Sequence, residues 1–348
     1  RLATLIDQRR LEASQKGPVL LLDGGDFSMG TLFHTVTRET GMELQLMQAM
    51  GYDAAAVGNH EFDFKPQGFA AMIGAALKQT ETLPKLLMSN VRFDHSAPED
   101  DALQAYMESG ILAREAIIEK GGLRFGIIGL MGTNAAEVAK DTAPLTFDKN
   151  TEVAHRMSYL LKNKHKVDVV ILLSHGGILK APSGNWIGED FDLAEAAPEI
   201  DLVVGGHSHT PLKEPLLSKS GTPILQAGSD GRFLGEIEME LTPQGLKVIN
   251  YTLHAIDDSI PGKPEITQLV DTVKQTISEK ILKPRGYTFD QPIASTNKTL
   301  KRTFNDTTLG NLVTDAIRVA AGSDIAITGN GTIRDELHVG KSGIQTVS

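Results

Sequence analysis

Asp, Asn and His recur beside glycine in four short strings: Asp23-Gly-Gly-Asp26, Val57-Gly-Asn-His-Glu61, Leu173-Ser-His-Gly-Gly177 and Val204-Gly-Gly-His-Ser-His209. These side chains offer oxygen and neutral nitrogen donors, the ligands that divalent cations take. Glycine beside them permits tight turns and close backbone approach. Together the strings supply Asp26, Asn59, His175, His207 and His209. That is more than one ion usually needs, and it points to two cations sharing a bridging carboxylate, a role assigned to Asp26. Two ions about 3.5–4 Å apart hold a water between them, ionise it near neutral pH and align phosphoryl oxygens. Hydrolysis of a phosphate ester by a metal-bridged hydroxide is the expected chemistry. His60 adjoins Asn59 and is expected beside the leaving oxygen as proton donor or charge stabiliser, with Asp63 orienting its other ring nitrogen. Asp63 in a cap of the following helix is the plainer alternative. Asp23 reads as a turn-fixing residue. Mn, Zn, Fe and Co all accept mixed His and carboxylate sites, so the donor set leaves the metal open.

Composition removes competing chemistries. The chain has 348 residues and no Cys, which excludes disulfides, thiolate metal sites and cysteine nucleophiles together. Its 34 Lys and Arg against 44 Asp and Glu give a net charge of -10, which argues against a nucleic acid polymer or an anionic membrane as partner. Hydrophobic residues at 41% and charged residues at 22% are globular proportions, and no apolar run reaches the roughly 18–20 residues of a membrane span. The glycines of Gly121-Gly-Leu-Arg-Phe-Gly-Ile-Ile-Gly129 precede or interrupt a strand pattern where a dinucleotide fingerprint would open a helix, so no nicotinamide site is read there. Oligomeric state is not legible.

The elements that must carry the strings alternate. Continuous apolar runs at 18–23, 53–58, 84–90, 123–130, 167–173 and 200–204 read as buried strands. Helical spacing fills 1–11, 69–77, 153–163 and 193–197, another helix carries Leu44, Met47 and Met50 on one face with Gly51 closing it, and 97–103 reads as a polar insertion. The stretch 113–130 reads as a hairpin around Gly121-Gly122, and 223–241 with 246–254 as antiparallel strands. In such a sheet, ligands bind outside the carboxyl ends of the strands. All four strings close such a strand. The pattern expected is therefore a catalytic domain over 1–258, a linker helix over 259–288 with an apolar stripe at Leu269, Val273, Ile277 and Ile281, and a partial domain over 289–348. That last part holds a helix near 309–317 and a strand near 323–328.

The same strings, Gly24-Gly-Asp26, Gly58-Asn-His-Glu-Phe-Asp63, Ser174-His-Gly177 and Gly205-Gly-His-Ser-His209, resemble the calcineurin-like metallophosphoesterases, and more narrowly the 5'-nucleotidase and UDP-sugar hydrolase family. The resemblance spans nearly the whole chain. It implies a four-layer α/β/β/α sandwich, then a linker helix and a partial α/β 5'-nucleotidase C-terminal domain. It implies Asp26 as bridging ligand, Asn59, His175 and His207 completing one metal site, His209 in the other, and His60 with Asp63 as a catalytic pair. It further implies an extracytoplasmic enzyme whose second domain binds the nucleoside and moves relative to the metals. The expected reaction is cleavage of nucleotide phosphomonoesters, or of nucleotide-sugar pyrophosphates. The alternatives are cyclic nucleotides or a sulfur ester at the same metals, or a catalytically silent surface binding protein. The family opens on a strand ending in Asp-x-His that is absent ahead of Arg1, from which truncation or disorder at the amino end is expected. Residues 304–316 resemble the family's Gly-Asn-Leu helix. Thr328-Gly-Asn-Gly-Thr-Ile-Arg334 resembles its substrate loop and carries Arg334 over as a contact to substrate phosphate or sugar.

Overall fold

Side chains that alternate along short strands build two sheets with three apolar layers. The computed structural model describes residues 1–243, 245–303, 307–340 and 342–347, with 330 described by its backbone alone. The chain divides into one unit of Arg1–Met29 with Val36–Asp271 and another of Gly30–Thr35 with Thr272–Ser348.

In the first unit, β1 (Leu22–Asp23), β2 (Ala54–Ala56), β3 (Lys85–Leu87) and β4 (Leu112–Ala113) pair in parallel in that order. The second sheet has six strands: β5 (Glu115–Lys120), β6 (Leu123–Met131), β7 (Val169–His175), β8 (Leu202–Gly205), β9 (Leu216–Leu217) and β10 (Pro223–Gln226). Their order is β9-β10-β8-β7-β6-β5, with β6, β7, β8 and β10 parallel and antiparallel partners at both edges. Period two sorts the side chains. Ala54, Ala56 and Leu87 meet Ile127, Val169, Ile171, Leu173, Leu202 and Leu225 between the sheets. The intervening residues face outward. Ala55, Val57 and Leu86 pack with α2 (Met42–Met50), α3 (Lys65–Leu77) and α4 (Asp101–Glu108). Short α5 (Thr133–Val138) follows β6, and Ile128, Val170, Leu172 and Val203 pack with α6 (Asn150–Tyr159) and α7 (Glu189–Ala196). The result is the α/β/β/α sandwich. The amino-terminal helix α1 (Leu2–Ala13) and the turn after it are tied by Arg9–Glu236 and Lys16–Glu238 ion pairs, each 2.7 Å, to the hairpin β11 (Phe233–Thr242) and β12 (Gly245–Ala255).

Several boundaries differ from the sequence expectation. The run 18–23 is strand only at β1 and is half-buried, because β1 is an edge strand with β2 on one side. Residues 223–241 are not one antiparallel strand. Left-handed backbone at Gly228, Asp230 and Gly231 breaks the run, leaving β10 parallel to β8 and β11 in the separate hairpin. The polar insertion runs into α4, whose first three residues it supplies and which buried Leu103 anchors.

The second unit contains the last six residues of α8 (Pro264–Ile277, whose first eight fall in the first unit), a two-stranded pair of β13 (Pro292–Ser295) and β14 (Ile344–Thr346), and α9 (Thr308–Ala321). The Thr307 side chain caps α9 by accepting from the Gly310 amide at 3.0 Å, and Gly322 closes it at φ 61°. The helix expected near 309–317 is thus Thr308–Ala321, and of the 304–316 resemblance 304–306 lie outside the described residues. No strand forms at 323–328 among the described residues. Ile325 and Ile327 are 76% and 90% exposed, and a strand without a ladder or an apolar cover gains nothing over coil. Among the described residues no helix is long and apolar enough to cross a membrane.

Candidate metal centre

Parallel pairing in register brings the strand ends to one rim. Gly205 on β8 lies between Ser174 on β7 and Gln226 on β10, and Met131 on β6 pairs with His175. The loops after β1 and β2 reach the same point. His175 Nδ1 lies 2.6 Å from the Gly24 carbonyl, and its Nε2 lies 3.0 Å from Asp26 Oδ2 and 3.1 Å from Asn59 Oδ1. Asn59 Oδ1 is also 3.1 Å from Nδ1 of His207. One carboxylate oxygen, one amide oxygen and two imidazole nitrogens thus converge, and the ligand atoms of Asp26, His175 and His207 all lie within 4.8 Å of one another.

Glycine makes that approach possible. A Cβ on Gly58 would collide with the Asp26 carboxylate, and one on Gly206 would sit 2.5 Å from the Gly24 carbonyl oxygen. The ligands themselves absorb backbone strain. Asp26, His207 and His209 hold φ of 62°, 65° and 55°, a left-handed conformation that costs a non-glycine residue about 1 kcal/mol or more. Three candidate ligands in that region are a mark of a built site.

His60 opens a single helical turn, His60–Phe62, whose orientation is fixed from below. Phe62 is 1% exposed and packs edge-on against Phe69 with ring centroids 5.7 Å apart. The His60 amide donates to Asp26 Oδ1 at 2.9 Å, and its Nδ1 lies 3.0 Å from both oxygens of Asp63. Asp63 therefore pairs with His60 and is not the cap of α3.

The electrostatics are those of a cation site. Burial works to raise the Asp26 carboxyl, but the charge of His175, its hydrogen bond and His60 hold it below the ordinary carboxylate range. Burial and the neighbouring His175 push the His207 imidazole down to about 4, so its nitrogen lone pair stays available near neutral pH. Burial works against the charge of His175, but Asp26, the Gly24 carbonyl and Glu61 lift its imidazole to about 9; oxygen donors from Asp26 and Asn59, with imidazole nitrogens that give up any proton to a bound cation, fit a divalent first-row metal.

His209 lies on the same loop as His207, is exposed, and falls outside the cluster within 4.8 Å. Arg334 belongs to the other unit, where it is exposed and its Nη1 donates to the Gly331 carbonyl at 3.3 Å. Asp23 Oδ1 accepts from the Gly25 amide at 2.9 Å and fixes the turn before Asp26.

Four buried or flanking residues were missed by sequence reasoning. Glu61, 3% exposed, accepts from the amides of Asp26, Ser28 and Gly58 at 3.0, 3.0 and 2.6 Å and so clamps two ligand loops together; burial and the Asp26 charge lift its carboxyl to about 7. Asp190, fully buried, accepts from Ser174 Oγ at 2.6 Å and the Gly177 amide at 3.1 Å. Asn134 Oδ1 lies 3.1 Å from His207 Nε2. Gln226 ends β10. The strand-end rule that found the four strings also covers Gln226, the last residue of a strand parallel to β8. Glu61 closes the second of those strings and was given no role there, while Asp190 and Asn134 carried no such signal.

Residues 1–211 match the calcineurin-like phosphoesterase family, and residues 287–347 match the 5'-nucleotidase C-terminal domain. The chain is 27% identical over 361 residues to the trifunctional nucleotide phosphoesterase protein YfkN of Bacillus subtilis, covering 96% of this chain and 24% of the relative. It is 27% identical over 374 residues to a 5'-nucleotidase of Vibrio vulnificus, covering 97% and 64%. The crystal structure of a 5'-nucleotidase precursor from Thermus thermophilus superimposes with a TM-score of 0.75 at 27% identity, covering 99% of this chain and 66% of that one. The chain thus spans between a quarter and two thirds of the length of these relatives. With the rim geometry, the sandwich and the match over its first 211 residues in agreement, the chain belongs to the calcineurin-like phosphoesterase family, whose members use divalent metals.

Proposed function

We propose that the protein is a dinuclear-metal hydrolase that cleaves nucleotide phosphomonoesters, and nucleotide-sugar pyrophosphates where the second site admits them. The convergence of Asp26 Oδ2, Asn59 Oδ1, His175 Nε2 and His207 Nδ1, with the His60–Asp63 pair tied to Asp26, carries this reading. Asp26 is assigned to both cations, Asn59, His175 and His207 to one, and His209 to the other. Two bound divalent ions, Mn, Zn, Fe or Co, would supply a nucleophile ionised at neutral pH and neutralise charge on the phosphoryl oxygens.

The chain's own residues supply the rest. Asp63 holds His60 Nδ1, which assigns Nε2 as the atom that gives a proton to the departing sugar oxygen. The phosphorus–oxygen bond to the sugar breaks as that proton arrives, so the product leaves as an alcohol and not as an alkoxide. Arg334 and the 289–348 domain are assigned to the nucleoside and phosphate, joined through the linker 259–288 to the catalytic domain 1–258. The named activities of the Vibrio and Thermus relatives support the substrate class, and an extracytoplasmic location follows from the family resemblance of the site strings. A panel of nucleoside monophosphates, a nucleotide sugar, a cyclic nucleotide and a thiosulfate ester, assayed on the full-length protein with and without chelator, tests the reading. Metal-dependent release of phosphate from the monophosphates is expected. Turnover confined to the thiosulfate ester, or none in the presence of metal, overturns it.

A further inference from the structure

The loop that carries His207 and His209 is held by one side chain from outside it. Gln226 is 1% exposed and closes β10, where its backbone pairs with Gly205 at the mouth of the loop. Its Nε2 donates to the carbonyl of Gly206. Its Oε1 accepts from the Thr210 amide at 2.5 Å and, at 2.9 Å, shares the Ser208 hydroxyl with the Ile178 carbonyl at 2.5 Å. A single planar amide thereby grips the residue before His207, the residue between the two histidines and the residue after His209.

The loop needs such a grip. His207 and His209 both adopt left-handed backbone, so the relaxed tendency of 206–210 is to leave this conformation. Opposing anchors come from Ile178: its amide donates to Ser208 Oγ at 3.0 Å, and its carbonyl accepts from Thr210 Oγ1 at 2.7 Å. Ser208 is thus held by Gln226 and Ile178, while the His207 imidazole beside it meets Asn59 Oδ1 at 3.1 Å. The planar amide fixes three points at once, which neither an apolar side chain nor a hydroxyl of shorter reach can do.

We propose that Gln226 is a positioning residue of the metal centre, setting the spacing of His207 and His209 and with it the affinity for a pair of cations. The inference rests on the proposed use of the rim by divalent metal, not on the identity of the substrate. Residues that orient ligands from behind typically change metal affinity 10–100-fold when replaced.

The test is calorimetric titration of the full-length protein with Mn2+ and with Zn2+, each alone, with bound metal counted after dialysis and thermal unfolding followed in parallel. Gln226→Leu, which keeps volume and removes every loop bond, is expected to bind metal at least tenfold more weakly at temperatures well below its unfolding. Gln226→Glu, which keeps the Oε1 acceptor, is expected to fall between Gln226→Leu and wild type. Ile224→Val, a core change on the same strand with no loop contact, is expected to lower stability while metal affinity stays within twofold. Metal affinity within twofold of wild type in Gln226→Leu overturns the proposal, as does a loss in Ile224→Val that scales with stability in the same way. Should Gln226→Leu fail to fold, Ser208→Ala is read instead, with a several-fold loss expected and no change overturning the proposal. A wild type that binds metal but hydrolyses no nucleotide overturns the proposed substrate and leaves this inference standing; one that binds neither ion overturns both.

Discussion

The backbone amide of His60 donates to Oδ1 of Asp26 at 2.9 Å, so the residue assigned to proton transfer is tied to the carboxylate assigned to the cations. The other Asp26 oxygen lies 3.0 Å from His175 Nε2. One carboxylate therefore fixes the distance between the metal side and the leaving-group side of the site, and small rearrangements at Asp26 propagate to both.

Separating the two sides is the first use of this geometry. His60→Ala should lower kcat by about 10²–10⁴-fold, the range of a lost general acid, while metal content stays at the wild-type level. Asp63→Asn keeps the imidazole near its place but removes the charge at Nδ1, and a smaller loss of about tenfold is expected. Steady-state kinetics with metal counted on the same samples checks both. Equal metal loss in His60→Ala would place that residue among the ligands instead.

Asp26→Asn acts on the other side. The amide oxygen can still accept from the His60 N–H, but the anionic bridge is gone. Loss of at least one bound ion per chain and of more than 10³-fold in turnover is expected, with the fold retained by circular dichroism. Retention of both ions would remove Asp26 from the bridge.

Glu61 tests how the two ligand loops are held. It accepts from three backbone amides and, at 3.1 Å, from Ser28 Oγ, so both of its oxygens face donors. Glu61→Gln must turn an NH2 group toward some of those donors, leaving them unsatisfied inside the protein. A destabilisation of about 2 kcal/mol or more is expected in urea unfolding. A change below about 0.5 kcal/mol would mean that the loops are held chiefly by packing.

Asp190 gives a pH signature. Burial lifts its carboxyl from 3.8 to about 7, and Oδ2 is buried with no hydrogen-bond partner among the described residues. The folded state binds this proton more tightly than the unfolded chain. The stability associated with it is therefore full below about pH 4 and is lost as pH rises toward 7, on the order of 4 kcal/mol at most. Asp190→Asn keeps an acceptor for Ser174 and Gly177 without the titration. Relative to wild type the variant should gain melting temperature between pH 4 and pH 8, and a constant difference across that range would show that Asp190 is ionised throughout.

The candidate ligands were legible because strand-end chemistry is local. A buried apolar run, then glycine, then Asp, Asn or His is written within half a dozen residues, and four such strings sharing one rim need only the rule for parallel sheets. The helical face of Leu44, Met47 and Met50 and the Gly121-Gly122 hairpin were readable for the same reason. What the sequence could not decide is where the partners lie. Asn59 meets His175 and His207 across 116 and 148 residues, and Glu61 reaches Asp26 across 35. The left-handed backbone at Asp26, His207 and His209, the clamps from Glu61 and Gln226, and the exclusion of His209 from the tight cluster come from packing the two sheets face to face. Such close approach sets distances between groups that no local pattern relates, so the donors were named by the chain and their geometry was set by the fold.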